Sequence, residues 1–182
     1  RNYWGYNTLR FFAADPRLCT RPDDPTVAND EFRRMVIALH EQGIAVILDY
    51  VMNHAASAHP LFESAYDSRK SPYADWFIFS EDKPTGWNTF SGDPWREGNQ
   101  RWYYAVFDPG MPDFNLRNPK VVDFHLDNLR FWLNRGVDGF RVDASNFAMH
   151  DLELRDNPPA PAGNGIRTRP FDFQLKVHNQ SH

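Results

Sequence analysis

Ile44-Ala-Val-Ile-Leu-Asp-Tyr-Val51 is apolar almost without interruption, and it follows a helical pattern with only Gly43 between them. A strand of that composition is covered on both faces, which is the condition of a parallel sheet flanked by helices. The helix before it reads from Asn29, a suitable N-cap with Asp30 and Glu31 behind it. It continues through Phe32, Met35, Val36 and Leu39 at helical spacing. The pairing of elements recurs. Pro119 opens a second helical pattern with Val122, Leu126, Leu129 and Leu133 on one stripe, and Gly136 closes it. Val137, Phe140 and Val142 then supply a short buried strand. Helix, strand, long insertion, helix, strand is part of a right-handed β/α array.

Both strands carry charge at their ends. Arg141 and Asp143 lie two apart on the second strand and therefore point to one face. Asp49 ends the first, with Asn53 and His54 just beyond it. A carboxylate and a guanidinium at a strand's C-terminal end sit where α/β enzymes keep their chemistry. Read from that stretch alone, a structural ion pair and a catalytic pair fit equally well.

At 182 residues the chain is long enough for a domain with a real core but short of a complete barrel of about 250 residues. A net charge of −4 and the lack of a Lys/Arg-rich block argue against nucleic acid or an anionic membrane as partner. No apolar run approaches a membrane span. A single cysteine, Cys19, rules out an internal disulfide framework and leans toward a reducing compartment, with the cytoplasm slightly favoured. The start at Arg1, without a methionine or a leader pattern, leads to the expectation that an upstream part is missing.

Residues 1–26 have no sustained period and read as a long loop with an aromatic start. Residues 55–115 scatter aromatics such as Trp87, Trp95 and Trp102 among Gly and Pro, and read as a long irregular insertion of the functional kind. The Pro-rich tail around Pro158–Pro161 and Gly163–Gly165 reads as another loop. His54 and His59 raise a metal pair, but no third ligand joins them on one helix face, and hydrogen bonding is the preferred reading.

Asp49-Tyr-Val-Met-Asn53-His54, Met111-Pro-Asp-Phe-Asn115 and Gly139-Phe-Arg141-Val-Asp143 together resemble three ordered motifs of the α-amylase family of glycoside hydrolases. The resemblance implies part of a (β/α)8 TIM barrel around strands 3 and 4, with a loop-rich small domain inserted after strand 3. On that reading residues 1–54 and 116–182 are barrel segments and 55–115 are the inserted domain. It also implies that the remainder of the barrel lies in a longer protein.

The resemblance implies roles residue by residue. Asp143 would be the nucleophile and Arg141 would hold it in place. Asp49 would pair with Arg141 from the neighbouring strand. His54 would donate to sugar hydroxyls, Tyr6 would stack on the same sugar, and Phe147 would complete the sugar-contacting set. Asn53 matches a position that binds structural calcium in many amylases, while no cofactor is required for the chemistry. Asp113 and Asn115 would anchor the insertion.

The implied substrate is an α-glucan or malto-oligosaccharide cleaved at α-glucosidic bonds. Asn146-Phe147 and the residues after it look like the α-glucosidase branch, Asn2–Asn7 and Phe11-Phe12 like isoamylase-type debranching enzymes, and Met111–Asn115 like amylases. Retaining hydrolysis needs a second carboxyl group as acid. In the family this is a glutamate on the fifth strand, and Glu153 follows the fourth strand too closely to match it. Two other readings remain: a non-catalytic member of the fold, or a sugar-binding module using Trp87, Trp95 and Trp102 as platforms.

Overall fold

The computed structural model describes residues 4–24, 26–87, 89 and 91–155. The tail after Arg155, including Pro158–Gly165, and the residues Asn2 and Tyr3 of the aromatic start lie outside them. The chain divides into two compact units, each taken by itself below.

One unit comprises Arg10–Tyr50 and Asp123–Asp143. Its first helix, α1, spans Val27–Glu41 with Thr26 at the cap, three residues before the expected Asn29. Asn29 instead ties down the preceding loop, where its side-chain oxygen accepts from the Ala14 amide at 2.9 Å and its amide donates to the Phe12 carbonyl. Gly43, at a φ of +73°, turns the chain out of α1, and the amide of Ile44 reaches back to the Leu39 carbonyl. Strand β1, Ile47–Val51, follows.

Strand β1 pairs in a two-stranded sheet with the last strand of the chain, which is named below. The two-sided cover expected for β1 is not met among the described residues. Ile47 is 65% exposed, because a sheet of two strands leaves apolar side chains that have no neighbour to pack on.

The other unit holds Val51–Val122 with residues 4–9 before it and 144–155 after. Helix α2 spans Pro60–Asp67, and His59 caps it by accepting the Leu61 amide on Nδ1 at 3.2 Å. Strands β2 (Phe79–Ser80), β3 (Trp95–Glu97) and β4 (Trp102–Tyr104) make an antiparallel sheet in the order β2-β4-β3. The insertion is thus better ordered than its sequence suggests, because strands of two or three residues are too short to show alternation.

Aromatic packing fills this unit. Phe77 and Phe114 stack with centroids 4.7 Å apart, and Trp87, Trp95 and Tyr104 meet edge to face. Trp87 and Trp95 are buried core residues, which overturns their reading as sugar platforms. Their sequence spacing could not separate ring packing from display. The segment 112–115 is woven through the core by backbone bonds: Asp113 N to Tyr104 O, Phe114 N to Asn53 O and Asn115 N to Trp76 O.

Helix α3, Pro119–Leu133, starts behind Asn118, whose side chain accepts the Lys120 amide at 3.0 Å. Its buried residues are Val121, His125, Asn128 and Trp132, whereas Val122, Leu126 and Leu133 are 40–47% exposed. The buried face therefore lies beside the apolar stripe. Polar His125 and Asn128 are accommodated because each finds a partner: the Tyr50 hydroxyl and His125 Nδ1 share a hydrogen bond of 2.7 Å, and Asn128 donates to the Phe11 carbonyl. That same carbonyl accepts from Trp132 Nε1 at 2.9 Å, and Trp132 meets Phe32 of α1 edge to face.

Gly136 adopts a φ of +94° to close α3, and an added Cβ would press on Val36 at 3.1 Å. Asp138 then accepts from His40 Nε2 at 2.8 Å and from the Val46 amide at 2.7 Å, joining the end of α1 to the approach to β1. Strand β5, Gly139–Asp143, completes the two-stranded sheet with β1. Among the described residues the barrel is a part, not a closed ring.

Candidate active site

Three charged side chains meet across β1 and β5: Asp49 and Arg141 from mid-strand, although the sequence puts Asp49 at a strand end, and Asp143 from the last residue of β5. Arg141 Nη1 donates to Asp49 Oδ1 at 2.8 Å and Oδ2 at 3.1 Å, and to Asp143 Oδ1 at 2.6 Å. The strand period brings Arg141 and Asp143 to one face, and the pairing of β5 with β1 brings Asp49 to them. The Asp49 carboxylate, then that of Asp143, holds the Arg141 guanidinium more firmly protonated than usual. Asp143 is the least exposed of the three, with 21% of its side chain open against 44% for Asp49 and 55% for Arg141. A carboxylate clamped from one side with an open remainder can attack an electrophile or steady a positive charge.

Immediately after Asp143 the backbone turns sharply. Ala144 sits in the left-handed region at a φ of 50°, and a single 3-10 turn, Ser145–Phe147, follows. A non-glycine residue held there stores strain of the kind that collects beside functional groups.

A second group of expected site residues gathers in the other unit. His54 is buried, and its Nε2 donates to the Tyr6 carbonyl at 2.7 Å. Its ring lies 5.3 Å from that of Phe107, which in turn meets Phe147 edge to face at 5.2 Å. Tyr6 packs edge to face on Trp4. Phe107 joins this row with no periodicity or motif to mark it in the sequence.

Asn53, also buried, donates from Nδ2 to Asp113 Oδ2 at 2.9 Å, and the same nitrogen lies 3.4 Å from His54 Nδ1. Burial pushes the Asp113 carboxyl well above the usual carboxylate range, against bonds from Asn53 and the Val106 amide. Among the described residues no three His, Cys, Asp or Glu side chains converge on a metal position, and Asn53 engages Asp113 through Nδ2. His59 serves as the α2 cap. Glu153, the glutamate downstream of β5, is exposed and lies 3.3 Å from Arg155.

Strand ends that carry a clamped carboxylate, on a β/α frame with a small aromatic-cored insertion, define an α/β enzyme-type site. The chain belongs to the alpha-amylase family: the model of the alpha amylase catalytic domain matches residues 25–178. It is 34% identical to a probable alpha-glucosidase of Rhizobium meliloti (strain 1021), over 98% of this chain and 33% of that protein. It is 36% identical to alpha-amylase 3 of Dictyoglomus thermophilum, over 82% of this chain and 28% of that protein. Among solved structures it is similar to an alpha-glucosyl transfer enzyme, with a TM-score of 0.79 and 32% identity over 98% of this chain and 34% of the other.

The chain thus spans about a third of the length of the relatives it matches. The partial TIM barrel expected from the motifs is the fold these relatives share. No helix among the described residues is long and apolar enough to cross a membrane.

Proposed function

We propose that the protein carrying this chain cleaves α-glucosidic bonds of malto-oligosaccharides or starch-like glucans with retention of configuration, and that Asp143 is its nucleophile. The Asp143 carboxylate attacks the anomeric carbon as the glycosidic C–O bond breaks, giving a glucosyl ester. The departing oxygen takes a proton from a general acid, and water then hydrolyses the ester. Arg141 orients Asp143 by a charge-assisted hydrogen bond, and Asp49, both of whose oxygens accept from Arg141, holds that guanidinium in place. The acid is assigned to a part of the protein outside the described residues, since retaining enzymes place it about 5–5.5 Å from the nucleophile and Glu153 follows β5 in an exposed loop. Tyr6, His54 and Phe147 are assigned to the sugar next to the scissile bond.

The Asp49–Arg141–Asp143 cluster is the observation that carries this reading. Relatives named as alpha-glucosidases and an oligo-1,6-glucosidase support the reading of α-glucosidic bonds as the target. The test is the intact mass of the protein, at its full natural length, after incubation with 5-fluoro-α-glucosyl fluoride. A single glucosyl adduct that maps to Asp143 is expected, together with a loss of turnover of about a thousandfold or more in Asp143→Asn. An adduct on another residue, or an Asp143→Asn enzyme with undiminished turnover, overturns the assignment.

A further inference from the structure

A buried carboxyl group, an amide and an imidazole stand in series beside the Tyr6 loop. Asp113 Oδ1 accepts from the Val106 amide at 3.2 Å, and Asp113 Oδ2 accepts from Asn53 Nδ2 at 2.9 Å. The second hydrogen of that nitrogen faces His54 Nδ1 at 3.4 Å, and His54 Nε2 stands 2.7 Å from the Tyr6 carbonyl oxygen. A carbonyl oxygen only accepts, so Nε2 carries the ring proton. Nδ1 must then be the bare acceptor, which suits the N–H that Asn53 presents. Asn53 presents N–H because the oxygen of Asp113 on its other side also needs a donor.

Nothing in this series is loose. The backbone of Asp113 donates to the Tyr104 carbonyl at 3.0 Å and accepts from the Ile78 amide, and it forms a β-bridge with His54. The Asn53 carbonyl accepts from Phe114 at 2.8 Å. We infer that Asp113 is a positioning residue, which through the amide of Asn53 fixes His54 in the Nε2–H tautomer and so holds the Tyr6 loop by its carbonyl. Its consequence for activity rests on the reading of Tyr6 and His54 as sugar contacts; the tautomer itself does not.

Asp113→Asn tests the series, since it replaces an accepting oxygen by an NH₂ group. Asn53 must then turn its amide to offer Oδ1 to the new donor, and the same Oδ1 faces His54 Nδ1. The ring proton moves to Nδ1 and the bond to Tyr6 is lost. Two-bond proton–nitrogen correlation spectra of the imidazole, recorded on the ¹⁵N-labelled protein at its full natural length, read the tautomer directly.

The wild type is expected to show the proton on Nε2 and Asp113→Asn to show it on Nδ1. In the variant, kcat/KM on an α-glucoside should fall about tenfold, chiefly through KM, as for one lost hydrogen bond. The exchange pair Asn53→Asp with Asp113→Asn keeps one buried carboxyl group and one amide. It should also move the proton to Nδ1, and it carries the test if the single variant does not fold. A wild type with the proton on Nδ1, or a folded variant that keeps it on Nε2, overturns the inference. A protein without activity on α-glucosides whose tautomer nevertheless switches would sink the proposed function and leave this inference standing.

Discussion

Asp49 and Arg141, 92 residues apart in sequence, are joined across β1 and β5 by two hydrogen bonds from one guanidinium nitrogen, at 2.8 and 3.1 Å. The same nitrogen reaches Asp143 at 2.6 Å, so one cation stands between two carboxylates. Removing it would leave like charges side by side and the proposed nucleophile without its clamp. In Arg141→Ala, kcat/KM on an aryl α-glucoside should fall on the order of a hundredfold, the cost of a misplaced reacting group. The far-ultraviolet circular dichroism should stay unchanged, because the side chain is exposed.

Asp138 binds both the Val46 amide and His40 Nε2, and the Val46 bond, then that of His40, holds its carboxyl below the usual range. A depressed carboxylate stabilises the fold above the pKa of the unfolded chain, and that contribution fades as pH falls through the folded pKa. Asp138→Ala should lower the thermal midpoint at pH 7. The difference from wild type should shrink toward pH 3, as thermal melts at the two pH values will show.

His125 lies behind β1 with Nδ1 on the Tyr50 hydroxyl, and burial lowers its pKa to about 4. The unfolded chain protonates this group near pH 6.5, so the contribution is full above that pH and is lost as pH falls toward 4. At about 1.4 kcal/mol per pKa unit, the span is worth roughly 3 kcal/mol. His125→Gln keeps a hydrogen-bonding group for Tyr50 but cannot titrate. Urea midpoints between pH 7 and pH 4 should therefore decline less steeply in the variant, and equal slopes would count against the assignment.

Ala144 holds a φ of 50° directly after the proposed nucleophile. A branched side chain is strongly disfavoured there, whereas glycine is at ease. Ala144→Val should cost about 1–3 kcal/mol and Ala144→Gly less than about 1 kcal/mol either way. Chemical denaturation of the two variants separates strain at this turn from simple loss of packing, which would penalise Gly more than Val.

Local pattern was enough to lay out the frame. Gly43 and Gly136 ended helices where the sequence placed breaks, because only glycine takes their positive φ at little cost. The spacing of Arg141 and Asp143 put both on one face of β5, since the period of a strand is a property of the backbone. Burial was another matter. Apolar periodicity points α3 inward along Val122, Leu126 and Leu133, yet the buried row is Val121, His125, Asn128 and Trp132. Whether a histidine or an asparagine can be buried depends on a partner brought near by the fold, here the Tyr50 hydroxyl and the Phe11 carbonyl. The same holds at the site: motifs name Asp49, His54 and Asp113, but the guanidinium on Asp49 and the amide between Asp113 and His54 are contacts across 92 and 60 residues of chain. Hydrogen bonds of that reach are decided by tertiary structure, because their strength lies in distance and direction, which a one-dimensional pattern does not carry.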